Sequence, residues 1–343
     1  MLALRKLTAD TPGLTLCDIA PPAACADDEV LVRVHATGIC GSDLHLAVWP
    51  GWPAERLPLT IGHEFSGVVL AAGAQAGLAV GTRVVARSEV HCGQCAACQR
   101  GDPEACTALG FIGVTHEGAF TEAIKVRAAH CHALPADVDL ATASLAEPLA
   151  VARCALRTAD VQPGQTVLVL GPGSIGQAIA LQALDLGAAQ VVIAGLDDAP
   201  RLAQCQALGL HHTLDLAEDT LAAALPRLIG SASVDHVFEA TGHPSSISDG
   251  LTVLGVGGVL TVCGVHFQHA SIDTRLILKN RLQIRGSLGS TERDWLAVMA
   301  FMQRKGEALA PMITHRLPLR EAEQGFALAR SKAASKVLLM PDA

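Results

Sequence analysis

Hydrophobic and polar residues follow one pattern in the first 150 residues of the chain. The apolar runs there are short, as at 30–34, 67–70 and 83–86, and clusters of Pro, Gly and Asp separate them. Runs of four to eight β-branched and apolar residues bounded by turn residues are typical of strands rather than helices. The pattern predicts a β-rich domain over residues 1–150.

A different pattern begins near residue 151 and continues to about residue 287. Strand-length apolar runs now alternate with stretches of helical periodicity. Such alternation is typical of an α/β domain with a doubly wound parallel sheet. The remaining residues, 288–343, start with a helical pattern and end on an apolar run at 336–340. The predicted parallel strands are 167–170, 190–194, 234–240, 259–264 and 282–288.

A glycine-rich turn follows the first predicted parallel strand at once. Its glycines are spaced as Gly171-x-Gly173-x-x-Gly176, and apolar residues then recur at helical spacing. Glycine permits the tight turn and lets the backbone approach a pyrophosphate, while the N-terminus of the following helix offers free N–H donors. A strand, this turn and a helix together predict a dinucleotide site that includes Ser174 and Ile175.

Length, composition and charge narrow the classes of protein that the chain could represent. Its 343 residues suffice for two domains, and with 50% hydrophobic and 17% charged residues it can bury large cores. A net charge of −8 argues against a nucleic-acid-binding surface. The sequence shows neither an apolar run long enough for a membrane helix nor a signal peptide. We therefore expect a cytoplasmic protein with no membrane or nucleic-acid partner.

Cysteine and tyrosine usage point to metal chemistry. Eleven cysteines in a long chain without an export signal favour metal ligation over disulfides. Tyrosine is absent, so the chain cannot protonate a carbonyl through a tyrosine hydroxyl. An alcohol-oxidising enzyme of this sequence would need another way to handle the hydroxyl, and a metal ion is the obvious one.

Four cysteines form the most specific motif in the sequence. Four thiolates this close in sequence can surround one tetrahedral zinc ion and leave no open position for a substrate. A closed sphere of that kind is structural rather than catalytic. The four residues are Cys92, Cys95, Cys98 and Cys106.

A second group of candidate ligands comes earlier in the chain. Cys40, Ser42 and His45 offer a thiolate, a hydroxyl and an imidazole within six residues. Each has an ordinary structural explanation when it is taken alone. His63 and Glu64, downstream in the same β-rich domain, would complete a plausible set of zinc ligands, with Glu64 as a ligand or as an orienting partner.

These motifs occur in the order found in the zinc-dependent medium-chain alcohol dehydrogenases, which the chain resembles over essentially its whole length. The resemblance implies a GroES-like catalytic domain over 1–150, to which 288–343 returns, and a Rossmann domain over 151–287. It also implies dimers or tetramers, and a proton relay through Ser42 and His45. Two zinc ions per chain are implied, a catalytic one at Cys40 and His63 and a structural one at Cys92, Cys95, Cys98 and Cys106.

Two carboxylates are candidates for the third ligand of the catalytic zinc, and the sequence does not decide between them. Residues 146–151 resemble the Glu-Pro-Leu segment of the polyol and threonine dehydrogenase branch, which implies that Glu147 approaches the metal. Glu64 is the competing carboxylate. Without the family context, the alternative explanation of Glu147 is an acidic residue that the helix dipole favours at a helix N-terminus.

The sequence also does not decide whether the coenzyme is NAD or NADP. In an NAD enzyme the second parallel strand should end on an acid that binds the ribose hydroxyls, but Gly195 stands there. Asp197 and Asp198 follow and would repel a 2′-phosphate, so we expect NAD in preference to NADP. Arg201 is the first cation after this strand. Our predicted coenzyme-binding residues are Gly171, Gly173, Ser174, Ile175, Gly176, Asp197, Arg201 and Thr241.

The resemblance implies hydride transfer from a secondary alcohol to a nicotinamide. Residues 49–52 (WPGW) resemble a segment of threonine dehydrogenases, whereas the residues after Glu147 are closer to sorbitol and idonate dehydrogenases. We expect a polyol or sugar acid as substrate, with L-threonine second and a simple secondary alcohol third. The other classes considered are a non-catalytic nucleotide-binding protein and a zinc-dependent nucleic-acid-binding module.

Overall fold

A computed structural model describes residues 1–341 of the chain. They divide into two compact units. One unit comprises Met1–Glu147 together with the residues from Trp295 onward, and the other is Pro148–Asp294. Among the described residues, no helix has the length and apolar character needed to cross a membrane.

The first part of the chain is rich in strands, as the apolar runs predict. Its helices are short until the last one. In chain order the elements are β1 (Leu2–Lys6), β2 (Thr15–Asp18), β3 (Glu29–Gly38), α1 (Gly41–Val48), β4 (Leu59–Thr60), β5 (Glu64–Ala72), β6 (Arg83–Ala86), β7 (Glu89–Val90), α2 (Ala96–Gln99), β8 (Gly110–Phe111), β9 (Ala123–Arg127), β10 (Cys131–Ala133), α3 (Leu140–Ala143) and α4 (Ala146–Ala159).

The second part alternates strands and helices before the chain ends in two more strands. Helix α10 is interrupted at Gly306, whose backbone is not helical. The elements are β11 (Thr166–Leu170), α5 (Ser174–Asp185), β12 (Gln190–Gly195), α6 (Ala199–Ala207), β13 (His212–Asp215), α7 (Leu221–Ile229), β14 (Val234–Glu239), α8 (Pro244–Thr252), β15 (Leu254–Val262), α9 (Thr274–Asn280), β16 (Gln283–Gly286), α10 (Glu292–Leu309), β17 (Ile313–Pro318), α11 (Ala322–Arg330) and β18 (Lys336–Met340).

Strand β3 organises the first unit. Its alternate residues Val30, Val32 and Val34 are fully buried, because successive side chains of a strand point to opposite faces of the sheet. The strand pairs antiparallel with β5, β9 and β18. The C-terminal apolar run therefore joins the same sheet as the N-terminal strands. That sheet has the order β10-β6-β5-β3-β18-β17, with β9 also on β3.

The second unit is built on a six-stranded parallel sheet with the order β13-β12-β11-β14-β15-β16. The five parallel strands expected from the sequence lie in it, and the fold class is the α/β class that was predicted. Strand β13 was missed. It is a short edge strand, HTLD, in which only Leu214 is buried, so no apolar run marks it.

Candidate functional site

The four cysteines come together at one point in the first unit. Their sulfurs all lie within 4.8 Å of one another. The Sγ atoms of Cys92 and Cys98 are 4.0 Å apart, and those of Cys95 and Cys106 are 3.9 Å apart. Tetrahedral zinc with bonds of about 2.3 Å to sulfur requires sulfurs about 3.8 Å apart. The cluster therefore has the size of a tetrahedral zinc–thiolate site.

The backbone around these cysteines also favours thiolates. The N–H group of Cys95 donates to Sγ of Cys92 at 3.3 Å, and that of Cys92 donates to Sγ of Cys106 at 3.4 Å. Backbone donors at Cys98 and Thr107 lower the pKa of Cys95 to about 5. Desolvation and the neighbouring sulfurs raise the pKa of Cys98 to about 12. Several thiolates cannot coexist this closely without a cation, so the donor set suits a bound dication.

The second cluster contains Cys40, His63 and Glu64, whose donor atoms also lie within 4.8 Å of one another. Cys40 is the N-cap of α1, two residues after β3 ends at Gly38. The antiparallel register pairs Gly38 with Glu64, the first residue of β5. Strand pairing therefore brings together residues that are more than twenty positions apart in the sequence.

Glycine is required where these strands meet. A Cβ atom on Gly38 would lie 2.2 Å from Oε2 of Glu64. A side chain at this position would displace the carboxylate from the cluster, so the close approach explains the residue type.

Asp43 belongs to this site, although the sequence analysis did not select it. Its carboxylate is fully buried, accepts a hydrogen bond from the Cys40 N–H at 2.9 Å, and lies 3.6 Å from Nδ1 of His63. Burial raises the pKa of Asp43 to about 6. Burial acts to lower the pKa of His63, but the Asp43 charge and the hydrogen bond with Cys40 outweigh it and raise that pKa. Asp43 is placed to orient the imidazole.

Lys336 is a second residue that sequence reasoning missed. Its Nζ lies 2.6 Å and 2.9 Å from the two carboxylate oxygens of Glu64 and donates to the carbonyl of Ile39 at 3.1 Å. Burial alone would lower the pKa of Lys336, but attraction to Glu64 raises it. The negative charge of Glu64 is therefore compensated by the protein itself. A separation of 272 residues left no local signal for this pair.

Glu147 lies in the first turn of α4 and is also buried. It is not one of the three residues of the second cluster. Ser88 donates a hydrogen bond to Oε1 of Glu147 at 3.0 Å. Burial raises the pKa of Glu147 to about 7, and the charges of Glu64 and Glu89 act in the same direction, while His63 opposes them. Unlike Glu64, this carboxylate has no cationic side chain bonded to it within the described part of the chain.

Ser42 and His45 both lie on α1, directly after Cys40. Ser42 is half-buried and His45 is exposed. Residues three apart on a helix share a face, so the two side chains are on the same side of α1. The helix ends beside Trp52, which is buried and donates to the carbonyl of Leu46 at 2.8 Å, and Trp49 packs against it.

The glycine turn of the second unit has the geometry that its sequence predicts. Gly171 has φ of 109°, a conformation that glycine adopts freely. A Cβ atom on Gly176 would lie only 1.9 Å from the carbonyl oxygen of Gly171. Gly173 is the N-cap of α5, so Ser174 and Ile175 present the free N–H groups of the first turn.

The two acidic residues after β12, Asp197 and Asp198, differ in burial and in their partners. Asp198 is buried, and Arg201 forms a bidentate ion pair with it, with Nε at 2.7 Å from Oδ1 and Nη2 on Oδ2. Asp197 is exposed. Nη1 of Arg201 points to the glycine turn, 3.4 Å from where a Cβ of Gly173 would lie. Only one of the two acids is therefore free to repel a 2′-phosphate.

Thr241, at the end of β14, is held by Glu239. The backbone N–H and the hydroxyl of Thr241 both bond to Oε1 of Glu239, at 2.7 Å and 2.5 Å, and His266 lies 2.7 Å from the other oxygen. Glu239 thus fixes the loops that follow β14 and β15, at the same edge of the sheet as the glycine turn.

Known proteins resemble the chain over nearly its full length. The alcohol dehydrogenase GroES-like domain matches residues 26–136, and the zinc-binding dehydrogenase domain matches residues 174–304. L-threonine 3-dehydrogenase of Bacillus subtilis (strain 168) is 35% identical over 319 residues, 91% of each chain. The solved structures similar to the chain include two dehydrogenases.

One is galactitol-1-phosphate dehydrogenase from Escherichia coli, with a TM-score of 0.88 and 27% identity over 99% of this chain and 100% of that one. The other, from Sinorhizobium meliloti 1021, is bound to NADP and has a TM-score of 0.87 and 28% identity over 99% of both chains. Together with the two cysteine-containing clusters and the glycine turn, these matches show that the chain belongs to the family of zinc-dependent, NAD(P)-dependent alcohol dehydrogenases.

Proposed function

We propose that this enzyme oxidises a secondary alcohol of a polyol at a zinc ion held by Cys40, His63 and Glu147. The observation that carries the proposal is the charge balance around the second cluster. Glu64 is compensated by Lys336, and Glu89 has Arg87 nearby, with 4.0 Å between Oε2 and Nε.

No lysine or arginine side chain bonds to Glu147 among residues 1–341, and Glu147 and Cys40 both face His63, whose pKa they raise. Two acidic groups around one imidazole favour a bound cation, because a buried negative charge is costly without one. His63 supplies a neutral nitrogen donor in this arrangement, oriented by Asp43. A thiolate, an imidazole and a carboxylate are each ordinary zinc ligands, and three protein ligands leave the fourth position of a catalytic zinc open. Glu64 stays with Lys336 in this proposal and stabilises the end of β3.

When bound, zinc would supply Lewis acidity at the substrate hydroxyl, and the nicotinamide would accept the hydride. The residues of the chain handle the proton. Ser42 takes the proton of the substrate hydroxyl as its own hydroxyl proton moves on toward His45. His45, one turn further along α1 and exposed, then releases a proton to solvent. A half-buried donor followed by an exposed imidazole is the order that this transfer requires.

The glycine turn and α5 are proposed to bind the pyrophosphate of the dinucleotide through the N–H groups of Ser174 and Ile175. Asp197 is the exposed acid available to the adenosine ribose. Arg201 is neutralised by Asp198, but its Nη1 is directed to the turn and can contact a 2′-phosphate. We therefore propose a coenzyme site that takes NAD and also accommodates NADP, with Thr241 holding the loop after β14.

A neutral polyol fits the first unit better than an amino acid does. Lys336 at the cluster already lies against Glu64, and Arg87 lies near Glu89. L-threonine would need a cation for its own carboxylate. Threonine is nevertheless the second candidate, because the curated relative from Bacillus subtilis bears that activity in its name. A simple secondary alcohol is third.

The test is a coenzyme reduction screen with NAD and NADP across polyols, aldonates, L-threonine and short secondary alcohols. The proposal predicts the highest kcat/KM on a neutral polyol, with loss of turnover in the metal-free enzyme that zinc restores. Highest activity on L-threonine would replace the substrate assignment. Turnover that survives complete removal of zinc would contradict the mechanism.

We also propose that the enzyme is a homodimer or homotetramer and is cytoplasmic. Strand β16 lies at the edge of the parallel sheet, and two apolar side chains shortly before and after it in the sequence are strongly exposed, Leu278 at 82% and Leu288 at 84%. An unpaired edge with apolar neighbours suits pairing with a second copy. Light scattering of the wild type and of Leu288→Lys tests this proposal, which predicts dissociation in the variant.

A further inference from the structure

Ser88 occupies a position in the first unit that the proposed reaction does not yet use. Ser88 is 4% exposed, and its hydroxyl donates a hydrogen bond to Oε1 of Glu147 at 3.0 Å. It is the one hydrogen-bond donor to that carboxylate among the side chains and backbone groups of residues 1–341. The orientation of the Glu147 carboxylate therefore depends on a single contact.

The backbone of Ser88 is held on both sides. Its carbonyl accepts a hydrogen bond from the N–H of Ile112 at 2.9 Å, and the N–H of the preceding residue, Arg87, donates to the carbonyl of His130 at 2.9 Å. β7 then begins at the next residue, Glu89, and pairs with β8. A side chain on so constrained a backbone has little freedom, which is what a residue that positions another one needs.

The hydroxyl of Ser88 has one proton and two acceptors within range. Oε1 of Glu147 lies at 3.0 Å, whereas Oε2 of Glu89 lies at 3.5 Å. Glu89 also has the guanidinium of Arg87 nearby. The shorter distance directs the proton to Glu147, to which no lysine or arginine is bonded among residues 1–341. Hydrogen bonds to carboxylates are among the stronger ones in proteins.

We infer that Ser88 is a positioning residue that holds the carboxylate of Glu147 in the orientation required for metal binding. The inference rests on the proposed function, in which Glu147 is a ligand of the catalytic zinc. With one oxygen bonded to Ser88, the other is left for the metal. Partners of this kind orient the ligand and increase its affinity for the ion.

The experiment measures zinc loss from the purified holoenzyme to a metallochromic chelator, for wild type, Ser88→Ala and Ser88→Thr. We expect Ser88→Ala to lose the catalytic zinc about 10- to 100-fold faster, the usual effect of removing such a partner, while the zinc of the four-cysteine site is retained. Ser88→Thr keeps the hydroxyl and should recover most of the wild-type behaviour. Thr121→Val is the matched control, because it removes a buried hydroxyl bonded to the carbonyl of Leu2.

Cobalt substitution supplies a spectroscopic readout of the same change. Replacing the catalytic zinc by Co²⁺ should give visible d–d bands that shift in Ser88→Ala and not in Thr121→Val. A structural role for Ser88 would lower thermal stability without moving these bands, and that result would overturn the inference.

A double-mutant comparison separates the inference from the proposed function. Ser88→Ala should accelerate zinc loss in the wild-type background and have no further effect in Glu147→Ala. If Glu147→Ala accelerates zinc loss and Ser88→Ala does not, the inference is wrong while the ligand assignment stands. An equal effect of Ser88→Ala in both backgrounds also overturns it. If Glu147→Ala leaves zinc loss unchanged, the ligand assignment fails and the inference fails with it.

Discussion

Nζ of Lys336 lies 2.6 Å from Oε2 of Glu64, and both side chains are almost completely buried. The pair joins β18 to the first residue of β5 across β3, which lies between those strands in the sheet. It fixes the carboxylate of the second cluster without using a metal ion.

Removing the cation of this pair should be strongly destabilising. Lys336→Met leaves the Glu64 carboxylate buried and unpaired, which we expect to lower the free energy of unfolding by about 3 to 5 kcal/mol. Urea denaturation measures the change. The double variant Lys336→Met/Glu64→Gln removes both charges and should recover part of the loss. A single variant as stable as the wild type would show that the pair contributes little.

The four-cysteine site should contribute to stability and not to chemistry. Cys95→Ala removes one of four thiolates, so we expect loss of the structural zinc and a lower melting temperature, with kcat per folded molecule little changed. Metal analysis and calorimetry of Cys95→Ala check this, with Cys17→Ala on β2 as the control for losing an unclustered thiol. A Cys95→Ala protein that keeps both the zinc and the stability of the wild type would contradict the assignment.

Cys40, in contrast, should contribute to catalysis and not to stability. Cys40→Ala removes the thiolate ligand at the N-terminus of α1, and we expect kcat/KM to fall on the order of a thousandfold or more, because several kcal/mol of Lewis-acid stabilisation are lost. Circular dichroism and zinc content should show an intact fold with the four-cysteine site still loaded. Substantial turnover by a Cys40→Ala protein free of catalytic metal would overturn the mechanism.

His130 should make stability fall in acid. Burial and the neighbouring His91 and Arg87 lower the pKa of His130 to about 4, whereas an unfolded histidine titrates near 6.5. Between these pH values the unfolded chain binds more protons, so the contribution is complete above about pH 6.5 and is lost as the pH falls toward 4. The loss should reach roughly 3 kcal/mol.

Denaturation from pH 8 to pH 4 measures that dependence. His130→Phe preserves an aromatic ring beside His91 and removes the titrating group, so its stability should fall less steeply over the same range. Parallel curves for the variant and the wild type would assign the acid sensitivity to other groups.

Arg201 should affect the two coenzymes unequally. Arg201→Ala removes the nitrogen directed to the glycine turn and exposes the charge of Asp198, so we expect KM for NADP to rise about 10- to 100-fold more than KM for NAD. Steady-state kinetics with both coenzymes measure the ratio. Arg227→Ala, which breaks a surface pair with Asp219 in the same unit, is the control. Equal changes for both coenzymes would exclude contact with a 2′-phosphate.

Local patterns in the sequence were sufficient for much of the fold and for part of the site. The apolar runs located half of the eighteen strands within residues 1–341, including five of the six in the parallel sheet. The close spacing of the four cysteines predicted their cluster, because residues so close in sequence are also close in space. The glycine spacing predicted the turn after β11 for a similar reason, since Gly176 has no room for a Cβ atom. The edge strand β13 escaped because it buries only one apolar residue.

What the sequence by itself determined is therefore the chemistry of residues that are close in the chain, namely the cysteine cluster and the glycine turn. Cys40 and His63 were candidates because of the order of the family's motifs, and the pairing of β3 with β5 brings them together. Only the tertiary structure decided which charges compensate one another. Lys336 reaches Glu64 because β18 pairs beside β3, and Ser88 reaches Glu147 from another segment of the same unit. Arg201 neutralises Asp198 and leaves Asp197 free. Such pairings depend on distances between side chains, and strand register and burial set those distances.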